Sequence, residues 1–266
     1  MTAITHHLMR IQAELRETES NAALFHEQSK TRPNVLQPFV AHFAPDMLPQ
    51  ISRRAYKSYR LAKQTALAEP QTLPVYLDDL ILQRRSVRKF AARSVEVDDL
   101  ATQLGLGYRI VGERFRPIPS GGALYPLEIY PIALNVADLA DGFYHYNPHH
   151  HALELLSSAP PLPALENIFL PDTLPADVAY LFAICGVLPR NRFKYGDLGY
   201  RLMLLEAGHL AQNIILVAEA QGLATLPICG FYDDRMHDYL AVDGVDEVCL
   251  YVIAIGKTDQ KSNLHT

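Results

Sequence analysis

Tryptophan is absent from this chain, and cysteine occurs only three times, at Cys185, Cys229 and Cys249. The three lie far apart and form no C-x-x-C pair. That argues against a zinc site and a disulfide framework, and favours a reducing compartment. The N-terminus, MTAITHHLMRIQAELRE, lacks the apolar core of a secretory signal. There is no run of 18 apolar residues, so no membrane span is expected. A formal charge of −5 gives no basic footprint for nucleic acid. No G-x-G-x-x-G follows a strand pattern, which argues against a dinucleotide-binding fold. His149, His150 and His151 diverge at a turn with no further ligand near them in sequence, so no metal centre is expected. Ser120 lacks a G-x-S-x-G elbow, so a hydrolase triad is not supported. These absences together lead us to expect a cytoplasmic protein.

What is present is an ordinary globular composition: 49% hydrophobic and 20% charged over 266 residues, enough to bury a sizeable core. Residues 1–74 are more polar and mainly helical in pattern. Within them ISRRAYKSYRLAK, 51–63, carries Arg53, Arg54, Lys57, Arg60 and Lys63. It is expected to present a solvated basic helix face, the sharper alternative being a docking surface for an acidic peptide. AEPQTLP, 68–74, has two prolines and reads as a linker to a main domain over 75–266.

In that domain VYLDDLILQRR and VDDLATQLGLGYRI predict helices within 75–85 and 97–110. LEIYPIALNV, 127–136, predicts a strand that Pro131 would place at an edge or mark with a bulge. FYHYNPHHHALELL predicts a hairpin turning at Asn147-Pro148. DVAYLFAICGVL, 177–188, is almost continuously apolar and predicts a central strand buried on both faces. Residues 200–223 predict a long helix, apolar nearly all round and hence buried, ending on Gly222. Along it Glu206, His209 and Asn213 share a stripe, expected to be a satisfied polar seam. LATLPICGFYDD, 223–234, reads as a loop between helices, and EVCLYVIAIGK as a closing strand. This order lacks βαβ alternation. It implies an α+β fold with a largely antiparallel central sheet flanked by helices.

Three short stretches carry chemistry. RRSVRKF places Arg84, Arg85, Ser86 and Arg88 together after a helix, and guanidinium groups with a hydroxyl suit a phosphomonoester. PSGGALYP puts two glycines together, which lets backbone approach a flat ligand. RFKYGDLGYR sets Lys194 beside Tyr195 where apolar strand gives way to helix. On residues alone, a solvated lysine and a core-rim tyrosine are the preferred account of that step.

Together these motifs resemble the nitroreductase-like flavoprotein superfamily, and PSGGALYPLEIY, GFYHYNPHHHALELL and FKYGDLGYRLMLLEAGHLAQN resemble its SagB-type dehydrogenase branch. FHEQSK, 25–30, is similar to a segment near the start of such proteins. The resemblance implies FMN at a homodimer interface. It implies phosphate binding by Arg84, Arg85, Ser86 and Arg88, with Lys257 a weaker match. Ser120, Gly121, Gly122 and Leu124 would line the isoalloxazine from the partner subunit, and Cys229 and Gly230 would lie near flavin N5. Many superfamily reductases carry an acidic residue at the position that Cys229 fills, so this chain departs from their pattern there. The branch oxidises thiazolines and oxazolines of peptides to aromatic azoles, with cyclodehydratase subunits and a precursor peptide as partners. That chemistry needs a base, and the resemblance assigns it to Lys194 and Tyr195 without saying which of them takes the proton. Two alternatives stay open: an NAD(P)H-dependent nitro or quinone reductase of the same fold, and a non-catalytic dimeric scaffold.

Overall fold

The computed structural model describes residues 20–31, 47–158 and 165–259. The rest of the N-terminal helical expectation, 1–19 and 32–46, lies outside them. Among the described residues the helices are α1 (Asn21–Gln28), α2 (Met47–Arg53), α3 (Leu77–Gln83), α4 (Val97–Tyr108), α5 (Pro189–Tyr195), α6 (Asp197–Ala220) and α7 (Asp233–Leu240). The strands are β1 (Lys63–Ala66), β2 (Val95–Glu96), β3 (Leu127–Ala133), β4 (Val136–Ala137), β5 (Gly142–Asn147), β6 (Ala152–Ser158), β7 (Tyr180–Val187), β8 (Ala224–Ile228) and β9 (Glu247–Gly256). Seven strands form one sheet in the order β1-β6-β5-β3-β7-β9-β8, with every neighbouring pair antiparallel. The fold is α+β, as the element order implied.

The sheet is buried on both faces, which explains the apolar run at β7. Its Tyr180, Phe182 and Ile184 point into one core with Leu100, Leu104 and Tyr108 of α4 and Met203, Leu210 and Ile214 of α6. Its Leu181, Ala183 and Cys185 point into the other, with Met236 and Leu240 of α7 and with Leu165, Ile168 and Phe169. Alternate strand side chains face opposite ways, so a strand between two helical layers has no polar face to show.

Several expectations are corrected. The basic stretch 51–63 is helical only to Arg53; it then crosses the sheet as irregular chain and enters β1, an edge strand paired with β6. Its Lys57 is held at the sheet rather than solvated: Nζ donates to Glu247 at 2.6 Å and Tyr130 at 2.9 Å. Pro131 lies in an internal strand, not an edge; β3 pairs with β7 along its whole length but with β5 only at Ile132 and Ala133. The stretch taken as a loop at 223–234 contains β8, the far edge of the sheet, where Pro227 is tolerated because an edge strand needs only one ladder. Finally, α6 is buried on one face only, and Leu204, Leu205, Gly208 and His209 are exposed.

Candidate functional site

A short helix and a long one meet at the centre of the site. α5 opens with Pro189, whose missing N–H is unneeded in a first turn. It stops at Gly196, with φ 55°, where a left-handed residue turns the chain before α6 begins at Asp197. Lys194 and Tyr195 thus occupy the last turn of a helix, not the end of a strand. Both are half-buried, and Lys194 Nζ stands 5.0 Å from the centre of the Tyr195 ring.

They face the PSGGALYP loop. Gly122 has φ 63°, and a Cβ added there would stand 2.6 Å from Lys194 Nζ and 2.7 Å from the Tyr195 hydroxyl. The positive φ favours glycine, and its bare backbone leaves room for the ammonium and the phenol to converge there. Ala123 and Tyr125 follow with φ 54° and 44°, so this loop holds strained conformations that its surroundings must enforce. The enforcing contacts are visible. Tyr125 N–H donates to Ser120 Oγ at 2.9 Å, Ser52 of α2 donates to Ala123 O at 2.5 Å, and Arg190 reaches Tyr125 O at 3.5 Å.

Beneath the loop lies Glu206 of α6. The stripe expected to be a satisfied seam separates in space: His209 is exposed, Asn213 donates to Pro117 O, and Glu206 is 2% exposed, facing the Ser120 hydroxyl without a close hydrogen bond to either carboxyl oxygen. Burial pushes its carboxyl up to about 7; Ser120 and Arg116 oppose that shift without overcoming it. Arg116 is itself buried, stacked 4.1 Å from the Tyr108 ring centre, and its Nε and Nη1 lack partners. A raised carboxyl favours the folded state while it remains neutral, below about pH 4.5. That contribution is lost as pH rises through about 7. Glu206→Gln cannot ionise and is expected to be more stable than the parent by up to about 3 kcal/mol above pH 7, with no gain near pH 4. Urea midpoints at the two pH values read this; equal midpoints in both would show that the carboxylate is partnered.

Behind α5 a chain of charges ties the site to the sheet. Arg190 pairs with Glu128 at 2.5 Å. Glu128 also accepts from Lys57 N at 2.8 Å and from His145 Nε2 at 2.8 Å. His145 Nδ1 meets Glu154 at 2.8 Å, and Glu154 accepts from Tyr59 N. Burial pushes Glu128 and Glu154 up, but Arg190 and His145 beside Glu128, and His145 and Asn147 beside Glu154, outweigh it and hold both at about 2. Burial works against the His145 imidazolium, yet hydrogen bonds to both carboxylates raise it above its ordinary value.

The second predicted cluster lies elsewhere. Residues 84–90 leave α3 and run outside β8, where Val87 N donates to Thr225 O at 2.9 Å. This displays Arg85, Ser86 and Arg88 to solvent, with Arg84 half-buried. No carboxylate of the described residues forms an ion pair with these three guanidinium groups; Arg84 and Arg85 act on Glu219 of α6 from farther off. Cys229 and Gly230 follow β8 nearby, as Tyr251 responds to both Cys229 and Arg84. Gly230 O is occupied, accepting from Leu170 N and Thr173 Oγ1. Lys257 points to Asp99 at 3.9 Å.

The structure therefore groups the predicted residues in two places. Ser120, Gly121, Gly122, Leu124, Lys194 and Tyr195 lie by the start of α6, where Leu202 packs under Gly121. Arg84, Arg85, Ser86 and Arg88 lie by its end, where Arg84 and Arg85 act on Glu219, and Cys229 and Gly230 follow the far end of β8 beside Tyr251. Leu202 and Glu219 are separated by roughly 25 Å along a helix rising ~1.5 Å per residue. The sequence reading missed Arg190, Glu128 and Arg116. Arg190 stood four residues before Lys194, one helical turn, once α5 is known to be a helix.

Residues 81–257 match the model of the nitroreductase family. MJ1384 of Methanocaldococcus jannaschii, named for a nitroreductase, is 31% identical over 194 residues, covering 71% of this chain and 94% of its own. The microcin B17-processing protein McbC of Escherichia coli is 32% identical over 133 residues, 48% of this chain; that match spans 49% of McbC, about half its length. Among solved structures, the E. coli microcin synthetase McbBCD complex with truncated pro-MccB17 bound contains a chain that superposes with a TM-score of 0.63 at 22% identity, covering 90% of this chain and 92% of that one. The fold, the family match over 81–257 and the similarity to MJ1384 over 71% of this chain establish that it belongs to the nitroreductase family.

Proposed function

We propose that this protein is an FMN-dependent dehydrogenase that oxidises peptide thiazolines or oxazolines to thiazoles or oxazoles, working with cyclodehydratase subunits and a precursor peptide. The observation that carries the reading is the convergence of the Lys194 ammonium and the Tyr195 hydroxyl over bare backbone at Gly122. Similarity to McbC, a protein named for microcin processing, supports a peptide substrate.

The residues present fit FMN. Arg84, Arg85 and Arg88, which form no ion pair with a carboxylate among the described residues, would hold its phosphate with Ser86, and the cradle at Gly121–Gly122, which a Cβ would fill, suits a flat ring. Because the two clusters sit at opposite ends of α6, one chain would hold the phosphate and a second would supply the Ser120–Leu124 loop. The exposed Leu204 and Leu205 on α6 suit such a homodimer. When bound, FMN supplies the two-electron acceptor. The azoline ring loses two hydrogens, one with the electron pair and one as a proton. Lys194 or Tyr195 takes that proton, held at the ring by α5 and by the loop beneath them.

The test is oxidation of a thiazoline-containing peptide by the purified, FMN-loaded protein with its cyclodehydratase present. A loss of two hydrogens per ring, read by mass spectrometry, is expected. Rapid flavin reduction by NAD(P)H without peptide, and an intact ring, would move the assignment to a nitro or quinone reductase. A colourless protein that takes up no FMN would leave only the scaffold.

A further inference from the structure

The N-terminal region meets the candidate site through α2. A cavity of about 370 Å³ lies between α2, the PSGGALYP loop and the first turn of α5. Met47, Ile51, Ala55 and Leu124 give it apolar walls, and Arg54 and Arg190 give it two guanidinium groups. Two of its lining residues are chain neighbours of the Lys194–Tyr195 site. Leu124 lies two residues from Gly122, a reach of at most ~7 Å, and Arg190 lies one helical turn before Lys194. Ser52 fixes α2 to the loop through Ala123 O, so the walls are held together.

The charges around this cavity are unequal. Arg53 pairs with Glu113, Lys57 with Glu247, and Arg190 with Glu128. Arg54 is exposed, and no carboxylate of the described residues pairs with it. Among these four cations, Arg54 alone remains to meet a ligand. An apolar floor with one unpaired guanidinium at its mouth fits a small apolar side chain and a neighbouring carboxylate.

We infer that this cavity is the subsite for the peptide segment flanking the reacting ring, and that Arg54 selects a segment bearing an acidic side chain next to an apolar one. The inference rests on the proposed function and deepens it. The alternative reading of the basic stretch, a docking face for an acidic peptide, thus narrows to one residue.

The experiment uses the full-length FMN-loaded protein and two fluorescent thiazoline peptides that differ only in carrying Asp or Lys beside the ring. By anisotropy, the Asp peptide is expected to bind about tenfold tighter than the Lys peptide. Arg54→Glu should reverse that order, and Ile51→Glu should weaken both peptides. Unchanged flavin absorbance in each variant shows that the fold is intact. In turnover the Arg54 effect should appear in KM, with kcat within about twofold. Equal affinities for the two peptides, in the parent and in Arg54→Glu, overturn the subsite. If the preference is present but neither ring is oxidised, the subsite stands and the function falls. If both rings are oxidised with equal KM, the function stands and the subsite falls.

Discussion

Lys194→Ala and Tyr195→Phe are each expected to slow azole formation by ~10²–10⁴-fold, the usual contribution of a positioned base, while FMN stays bound. Retention of flavin is expected because the proposed phosphate anchors lie apart from the pair, although the ring cradle at Gly121–Gly122 adjoins it. The loss belongs in kcat more than in KM, because the pair is assigned to the proton rather than to holding peptide. The two substitutions also separate the roles. Tyr195→Phe keeps the ring under the Lys194 ammonium and removes only the hydroxyl, so a near-inactive Tyr195→Phe with a partly active Lys194→Ala makes the phenol the base. The reverse order makes it the amine. Parent-like rates in both variants, measured with saturating thiazoline peptide, would remove the pair from the mechanism.

Glu128→Ala is expected to destabilise the fold by about 3–5 kcal/mol, the penalty for leaving buried charge without its partner. Glu128 answers Arg190, His145 and the Lys57 N–H at once, and it is 1% exposed, so water cannot take its place. Both ring nitrogens of His145 face carboxylates, which only accept, so each must carry a proton. The pH dependence has two limbs. The depressed Glu128 and Glu154 contribute stability above their ordinary value of 4.5, lost as pH falls toward 2. The raised His145 contributes below its ordinary value of 6.5 and loses that stability as pH rises through its folded value. Parent protein should therefore be most resistant to urea between about pH 4.5 and 6.5 as far as this network decides it, and Glu128→Ala should flatten both limbs. A Glu128→Ala protein within about 1 kcal/mol of the parent would show that these charges are not coupled as drawn.

Where local pattern and tertiary environment agree, the sequence was legible. The β7 run is apolar at every step because both faces are buried, and α6 announces itself by length. The β5–β6 hairpin turns where Asn147-Pro148 placed it. The motifs 84–90, 119–126 and 194–195 were found as separate strings, and the two that meet across Gly122 could not be joined from spacing alone. What stayed hidden depends on distant partners. Lys57 looks solvated until Glu247, 190 positions away, is brought to it. Glu206 looks like one member of a polar stripe until the strained loop closes over it. β8 was missed because Pro227 and Gly230 signal a turn, and only its place at the sheet edge shows why a proline is harmless there.

That edge gives the arginine segment a second consequence. Ser86 bridges Thr225 and Val87 N donates to Thr225 O, so the stretch proposed to grip a phosphate also shields part of β8, the last strand of the sheet. An uncovered edge strand is a template for pairing with another chain. Self-association is thus kept in check by the same few residues that would hold the cofactor. Deleting the segment is expected to bare that edge, whereas replacing its arginines alone is not.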